Sequence, residues 1–154
     1  MGAPEDFVAS YLEAWNHHDA ERVAQHLGED GLYCDVPRQE ELTGEALVAH
    51  LIEYFSNDDY RYELIGKALT DTDTVAFQYR VVPLDPDSGA LGWSGAEFIR
   101  LDGGVARQIN DYYRVPGSPA QRAALPAGGR RYAKSGLSDD AMQRLLASLQ
   151  HAMV

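Results

Sequence analysis

The sequence has a single cysteine and no long apolar run. These absences exclude an internal disulfide and a membrane-spanning helix. Cys34 has no second cysteine with which to form an internal disulfide, so we expect a reducing, cytoplasmic location. No run approaches the roughly 18–20 apolar residues that a membrane-spanning helix needs. The first ten residues are acidic and lack the basic and apolar segments of a signal peptide. We therefore expect no membrane association.

Basic residues are also scarce. The chain carries 13 Lys and Arg against 24 Asp and Glu, which gives a net charge of −11. A nucleic-acid-binding protein neutralises phosphates with clustered Lys and Arg, and this chain has the opposite field. We therefore expect that this chain binds no nucleic acid, and that its charge serves solubility.

The motifs of metal and nucleotide sites are missing too. The five His residues form no HxH, HExxH or Cys/His pattern, so the sequence predicts no metal site. No Gly-rich loop leads from a strand into a helix, because Gly103 and Gly104 lie in a hairpin turn. We expect no metal ion and no cofactor.

Three helices are predicted in the first part of the chain. Pro4 fits the first turn of a helix, and apolar residues then recur at helical spacing up to Trp15. Asp19 is placed to cap a second, shorter helix that Gly28 ends. Thr43 is a suitable N-cap for a third helix, whose buried stripe comprises Leu47, Val48, Leu51, Ile52 and Phe55.

Strands dominate the rest of the first 115 residues. Gly31–Val36 is predicted as a strand that Pro37 stops. Four more strands, joined as an antiparallel run, are predicted over 60–70, 74–82, 90–101 and 105–115. Helices followed by antiparallel strands favour an α+β fold with the helices on one face of the sheet.

The last third of the sequence has a different character. Residues 116–137 are rich in Pro, Gly, Ala and Arg and are predicted to be a linker. Ser138 then caps an amphipathic helix predicted over 138–154. We therefore divide the chain into a domain over 1–115, a linker and a C-terminal helix.

Local patterns around Tyr11 (SYLEAWNHHD), Asp35 (LYCDVP) and Glu97 (GAEFIRLDGG) carry a family resemblance. With the order of the elements, they resemble the ketosteroid-isomerase branch of the NTF2-like (SnoaL-like) domains, over about residues 5–115. The resemblance implies a cone in which a curved sheet wraps helices around an apolar pocket, and it implies a homodimer. The segment RYAKSGLSDDAMQRLLASL resembles the connecting helix that precedes the DNA-binding domain in some AraC-type regulators.

The same resemblance implies catalytic roles. Asp35 would be a base beside apolar surface, and Tyr11 and Glu97 would donate hydrogen bonds to an oxyanion. The family carries Asp where this chain has Glu97, and a carboxylic acid donates only while it stays protonated. Asp111 is a second candidate base, because related cyclases place an acid on the late strands. The alternatives are turn capping for Asp35, core packing for Tyr11, and an ion pair of Glu97 with Arg80 or Arg107.

Flat apolar side chains are the candidates for contacting a ligand. The predicted substrate-binding residues are Trp15, Phe55, Trp93, Asn110 and Tyr112. Core packing is the alternative for each aromatic. On the last strand Asn110 and Tyr112 share one face, whereas Asp111 shares the other with Tyr113, and the sequence leaves open which face is concave.

Two functions are consistent with these observations. The first is a cofactor-independent isomerase, cyclase or dehydratase that acts on a small apolar carbonyl compound, steroid-like or polyketide-like. The second is a non-catalytic ligand-sensing module related to a transcriptional regulator, which the C-terminal segment suggests.

Overall fold

The computed structural model describes residues 4–114 of the chain as three helices and one six-stranded sheet. In chain order the elements are α1 (Pro4–Asn16), α2 (Ala20–Ala24), β1 (Leu27–Asp35), β2 (Glu40–Leu42), α3 (Gly44–Phe55), β3 (Tyr60–Asp71), β4 (Thr74–Pro83), β5 (Trp93–Asp102) and β6 (Val105–Tyr113). This is the α+β architecture expected from the sequence. The predicted linker and C-terminal helix (116–137 and 138–154) lie outside the described residues.

The helices begin where the sequence predicts. The Asp19 side chain accepts a hydrogen bond from the Arg22 amide at 3.0 Å, which caps α2. Thr43 occupies the N-cap position of α3, although its side chain makes no capping hydrogen bond. The end of α2 was placed too late, because the helix stops at Ala24 and β1 already begins at Leu27.

Pairing with the last strand explains this early start of β1. Leu27 pairs with Ala106, and the register shifts by a bulge between Leu27 and Leu32. A Cβ atom at Gly31 would lie 2.6 Å from the Ala106 carbonyl oxygen, so the close approach of the two strands there requires glycine. Gly28 therefore lies within a strand and does not end a helix.

The strand order in the sheet is β2-β1-β6-β5-β4-β3. Neighbouring strands are antiparallel except β1 and β6, which are parallel. The antiparallel run from β3 to β6 was predicted correctly. The parallel pair was not, because it joins strands that are far apart in sequence. The short strand β2 was also missed, since three residues carry too little periodicity.

The core lies between the helices and the concave face of the curved sheet. Alternate residues of β4 point into it and are buried, namely Val75, Phe77, Tyr79 and Val81. Tyr11, Leu47 and Leu51 pack against them from α1 and α3. Full burial of one such apolar side chain contributes about 1.5–3 kcal/mol. A cavity lies between the concave face of the sheet and the helices α1 and α3.

No helix within residues 4–114 has the length and apolar character needed to cross a membrane.

Candidate functional site

The cavity on the concave face has a volume of about 350 Å³ and a largely aromatic wall. Its aromatic lining residues come from α1, α3 and every long strand, and they are Trp15, Tyr33, Tyr54, Tyr62, Tyr79, Trp93 and Tyr113. Leu12 and Leu51 add aliphatic surface, and Arg38 and His50 add basic groups. Three carboxyl groups, those of Asp35, Glu97 and Asp111, line the same space. The cavity therefore combines apolar surface with buried acids.

Strand register brings the three acids together. Asp35 on β1 pairs with Asp111 on β6, and Asp111 pairs with Glu97 on β5. Residues directly opposite each other in a ladder project from the same face of a sheet. The three side chains therefore form one row across adjacent strands, which we call the carboxyl row. Phe77 on β4 is opposite Glu97 and continues the row with an apolar side chain.

Asp111 is the centre of the row and is held by two phenols. The hydroxyls of Tyr33 and Tyr79 each donate to its carboxylate at 2.7 Å. Asp111 is buried, with only 6% of its surface exposed. Burial raises the pKa of Asp111 to about 7, although both phenol hydrogen bonds favour the ionised form.

Gly95 allows Tyr79 to reach Asp111. A Cβ atom at Gly95 would lie 2.5 Å from the Tyr79 hydroxyl oxygen and 2.7 Å from the Tyr112 carbonyl oxygen. The backbone oxygen cannot yield easily, so only glycine leaves room for the phenol to pass across β5.

Glu97 is the most deeply buried acid of the row, at 4% exposure. Burial raises the pKa of Glu97 well above its usual value, and the nearby negative charge of Asp111 raises it further. Its Oε2 atom has no hydrogen-bond partner among the described residues. Both effects favour the neutral form of Glu97, which carries an O–H group that can donate a hydrogen bond.

Tyr11 lies behind the cavity wall. Its ring is fully buried and packs against Phe7, Trp15 and Phe77. Burial raises the pKa of Tyr11 well above its usual value, followed by the charges of Glu97 and Asp111, so its hydroxyl is close to the carboxyl row. That hydroxyl has no hydrogen-bond partner within residues 4–114. The structure thus gives Tyr11 the core packing that was its alternative role, beside Glu97 and outside the cavity lining.

Asp35 closes the row at the end of β1. Its carboxylate accepts from the Tyr113 hydroxyl at 2.9 and 3.0 Å and from the Arg38 amide at 3.1 Å. The Arg38 guanidinium lies 3.9 Å away. Burial raises the pKa of Asp35, while the hydrogen bonds from Tyr113 and Arg38 oppose that change. Asp35 therefore both caps the following turn and lines the cavity.

The other predicted contact residues divide into two groups. Trp15 and Trp93 line the cavity, and Phe55 packs behind Trp15 with ring centroids 5.5 Å apart. Asn110 and Tyr112 lie outside the cavity, on the convex face of the sheet, because Asp111 between them points inward. We therefore leave Asn110 and Tyr112 out of the proposed site.

The alternative ion pairs for Glu97 are absent. Arg80 binds Glu63 at 2.8 Å, and Arg107 binds Asp102 at 2.9 Å. Both arginines are exposed, whereas Glu97 points inward.

The sequence-based prediction missed all five tyrosines that line the cavity. Tyr33 shares the face of Asp35 by alternation, and Tyr113 shares the face of Asp111, so strand parity was the available signal. Tyr54 and Tyr62 come from elements whose orientation the sequence does not reveal. Within residues 4–114, no three His, Cys, Asp or Glu side chains are arranged to hold a metal ion.

The fold and the site define a class of protein: a cone whose helices and curved sheet enclose a cavity with buried acids, as in ketosteroid-isomerase-like proteins. The model of the SnoaL-like domain matches residues 8–109, more than half of the chain. The protein belongs to this SnoaL-like family. No curated protein sequence matches the chain significantly.

Solved structures share the fold at low sequence identity. A protein with a ketosteroid isomerase-like fold from Catenulispora acidiphila DSM 44928, in complex with trimethylamine, is 20% identical with a TM-score of 0.65, covering 82% of this chain and 97% of that one. A candidate ketosteroid isomerase from Kribbella flavida DSM 17836 is 18% identical with a TM-score of 0.61, covering 75% and 80%. A candidate polyketide cyclase from Sinorhizobium meliloti is 15% identical with a TM-score of 0.56, covering 69% and 93%.

Proposed function

We propose that the protein is a cofactor-independent acid/base catalyst that acts on a small apolar carbonyl compound. The observation that carries this proposal is the carboxyl row at the wall of an apolar cavity. Its three members have different partners and therefore different proton affinities. Pairs of acids whose environments separate their pKa values are the arrangement that acid/base catalysis at neutral pH requires.

The proposed roles follow from these partners. Asp35 carries two hydrogen bonds that favour its ionised form and is the base that removes a proton next to the ligand carbonyl. Glu97, as a neutral acid, donates a hydrogen bond to the oxyanion that forms. Tyr11 packs behind Glu97 in the core and has no assigned step. Return of the proton from Asp35 to another carbon completes an isomerisation.

Asp111 is the alternative base. Its pKa of about 7 suits a group that takes and returns protons at neutral pH. Asp111 lies directly beside Glu97 in the row and its negative charge raises the pKa of Glu97, whereas Asp35 lies on the far side of Asp111. We therefore assign the base to Asp35 and give Asp111 the role of keeping Glu97 protonated.

The dimensions and lining of the cavity define the ligand class. A volume of about 350 Å³ lies at the small end of the roughly 300–1,000 Å³ usual for ligand pockets. The flat rings of Trp15 and Trp93 suit a planar or ring-containing molecule. A small steroid-like or polyketide-like carbonyl compound fits these features, in agreement with the names of the similar structures.

A thermal-shift screen against apolar ketones and phenols, on the wild type and Asp35→Asn, tests this proposal. Phenols resemble an enolate, so removing the negative charge of Asp35 should strengthen their binding. A compound at about 100 times its Kd adds roughly 2.7 kcal/mol of stability. Asn110→Ala, on the convex face, serves as the matched control and should behave as the wild type.

Equal stabilisation of the wild type and Asp35→Asn would contradict a charged base in the cavity. Binding without turnover of any ketone would favour the ligand-sensing alternative.

We also propose that the protein is a homodimer formed through the convex face of the sheet. That face carries a small apolar cluster of Ala76, Ala96 and Phe98, and Tyr112 packs on Phe98 with ring centroids 5.6 Å apart. Light scattering of the full chain should give twice the mass of one chain, and Phe98→Glu should reduce it to the mass of one. A monomeric wild type would contradict the proposal.

A further inference from the structure

A chain of polar side chains crosses the wall between the cavity and a second, polar cleft. The Tyr54 and Tyr62 hydroxyl oxygens are 2.9 Å apart, and Tyr62 donates to Asp58 Oδ2 at 2.8 Å. The Nε2 atom of His18 lies 3.2 Å from the same carboxylate oxygen, within ion-pair distance but without the geometry of a hydrogen bond. Neither the carboxyl row nor the proposed mechanism uses any of these groups.

The two ends of this chain lie in different environments. Tyr54 and Tyr62 line the apolar cavity. Asp58 and Tyr54 also line a polar cleft of about 330 Å³. At the outer end the His18 side chain is 27% exposed, whereas that of Asp58 is 1% exposed. The chain therefore connects the ligand space with solvent through a buried carboxyl group.

We propose that the Tyr54 phenol exchanges protons with a ligand in the cavity through a relay that ends at the surface at His18. The relay comprises, in order, Tyr54, Tyr62, Asp58 and His18. Tyr54 is its catalytic residue: Tyr62 also lines the cavity, but its hydroxyl is engaged by Tyr54 and Asp58, so the Tyr54 hydroxyl is the cavity end of the relay. The other three are positioning residues. The inference rests on the proposed function in one respect: it assumes that the cavity ligand carries an oxygen that needs a proton.

The relay has two states, which differ in whether Asp58 carries a proton. When Asp58 is ionised, Tyr62 donates to Asp58 and Tyr54 donates to Tyr62, so Tyr54 offers the cavity only a lone pair. When Asp58 is protonated, the direction reverses and Tyr54 donates its O–H to the cavity. One proton on Asp58 thus decides whether Tyr54 is an acceptor or a donor for the ligand.

The transfer itself is balanced. Asp58 gives its proton to the Tyr62 oxygen, Tyr62 gives its own to Tyr54, and Tyr54 gives its own to the ligand oxygen. Three O–H bonds break and three form, and no electrons are exchanged. Asp58 remains as a carboxylate and regains a proton from His18 or from water in the cleft. A filled cavity excludes water, so an alkoxide or departing hydroxide there needs such a path.

The local structure is built to hold this arrangement. Asn16 makes two reciprocal hydrogen bonds with the Tyr62 backbone, at 2.9 and 2.8 Å, which join the end of α1 to β3. His18 follows with φ of 52°, a left-handed conformation that is costly for a residue other than glycine. Its ring stacks on Phe55, with centroids 5.0 Å apart. The backbone of His18 is thus strained in the conformation that places its imidazole against Asp58.

The charge state of Asp58 depends on its surroundings. Burial raises the pKa of Asp58, whereas the Tyr62 hydrogen bond and His18 lower it. Burial also raises the pKa of Tyr54 to about 12, which keeps its proton in place at neutral pH. The other charged or titratable groups around Asp58 are Asp59 next in the chain and, across the polar cleft, Arg38, His50, Glu53 and Tyr60.

The relay can be tested without any ligand. We replace Tyr54 with 3-fluorotyrosine, which makes the phenol more acidic with little change of shape. We then follow the ring ¹⁵N signals of His18 by NMR in the full chain, assigned with His18→Gln. We expect the His18 signals to move, and the response to be lost when Tyr62→Phe breaks the relay. The matched control is 3-fluorotyrosine at Tyr79, which lines the same cavity but donates to Asp111, and should leave His18 unchanged.

A second measurement uses 2-naphthol as the probe. Saturation should move His50, which lines the cavity, in both the wild type and Tyr62→Phe, but His18 only in the wild type. The relay is overturned if fluorination of Tyr54 leaves His18 unchanged, or if His18 responds equally in Tyr62→Phe. If 2-naphthol moves neither histidine, the proposed ligand class fails, and the fluorotyrosine result still decides the relay.

Discussion

Replacement of Asp35 by Asn should lower the turnover of any carbonyl compound that the wild type converts by about 10²–10⁴-fold, the usual contribution of general acid–base catalysis. The amide has the shape of the carboxylate but cannot accept a proton. The Tyr113 hydroxyl and the Arg38 amide can still donate to the amide oxygen, so the turn after β1 should persist. Rates measured with a ketone selected from the screen check this expectation.

The substitution should lower kcat and leave KM largely unchanged. Asp35 would accept the proton in the transition state and contribute little to binding of the substrate in the ground state. Asp111→Asn provides the matched comparison, since it removes the other candidate base from the same row. A larger loss in Asp111→Asn than in Asp35→Asn would reverse the assignment of the base. An unchanged rate in Asp35→Asn, with the fold intact, would exclude Asp35 from the chemistry.

The second large effect should be a loss of stability as the pH rises. Glu97 and Asp111 bind their protons more tightly in the folded protein than in the unfolded chain, where carboxyl pKa values are near 4. Above about pH 4 the unfolded chain loses protons that the folded protein keeps, so the free energy of unfolding declines with pH. The decline due to Asp111 should end near pH 7, and Glu97, whose pKa is also raised by burial, adds to the decline.

Each proton kept in this way lowers the free energy of unfolding by about 1.4 kcal/mol per pH unit. Urea denaturation at pH 5, 6, 7 and 8 measures the slope. Glu97→Gln, which stays neutral at every pH, should flatten it and should be more stable than the wild type at pH 8. Glu63→Gln is the control, because Glu63 is exposed and the neighbouring Arg61 and Arg80 lower its pKa. A wild-type stability that does not change with pH would show that the row is not buried as described.

Much of this fold was predictable because its signals are local. The apolar stripe of α1, the Asp19 cap and the turn at Asp102–Gly104 each depend on residues within a few positions of one another. The order of these elements predicted the α+β class, and the family resemblance added the cone. The family resemblance of the patterns around Asp35 and Glu97, and of the late acid Asp111, selected all three acids of the carboxyl row as candidates.

Other features depend on contacts between distant parts of the chain. The parallel pairing of β1 with β6 places Asp35 beside Asp111, and its register cannot be read from either strand alone. The same pairing decides that Asp111 points inward and that Asn110 and Tyr112 point outward. Alternation in the sequence shows which residues share a face of a strand. It does not show which face the helices will cover, so the concave face of β6 could not be predicted.

The amino-acid sequence thus determined where the helices and most strands form, and it supplied the buried acids and the many tyrosines. Only the tertiary structure decided which phenol bonds which carboxyl group, how burial shifts the pKa of each acid, and which surface is the cavity wall. The physical reason is that propensity and periodicity act over a few residues. Burial, hydrogen-bond partners and pKa values, by contrast, depend on strands and helices that meet only after the chain has folded.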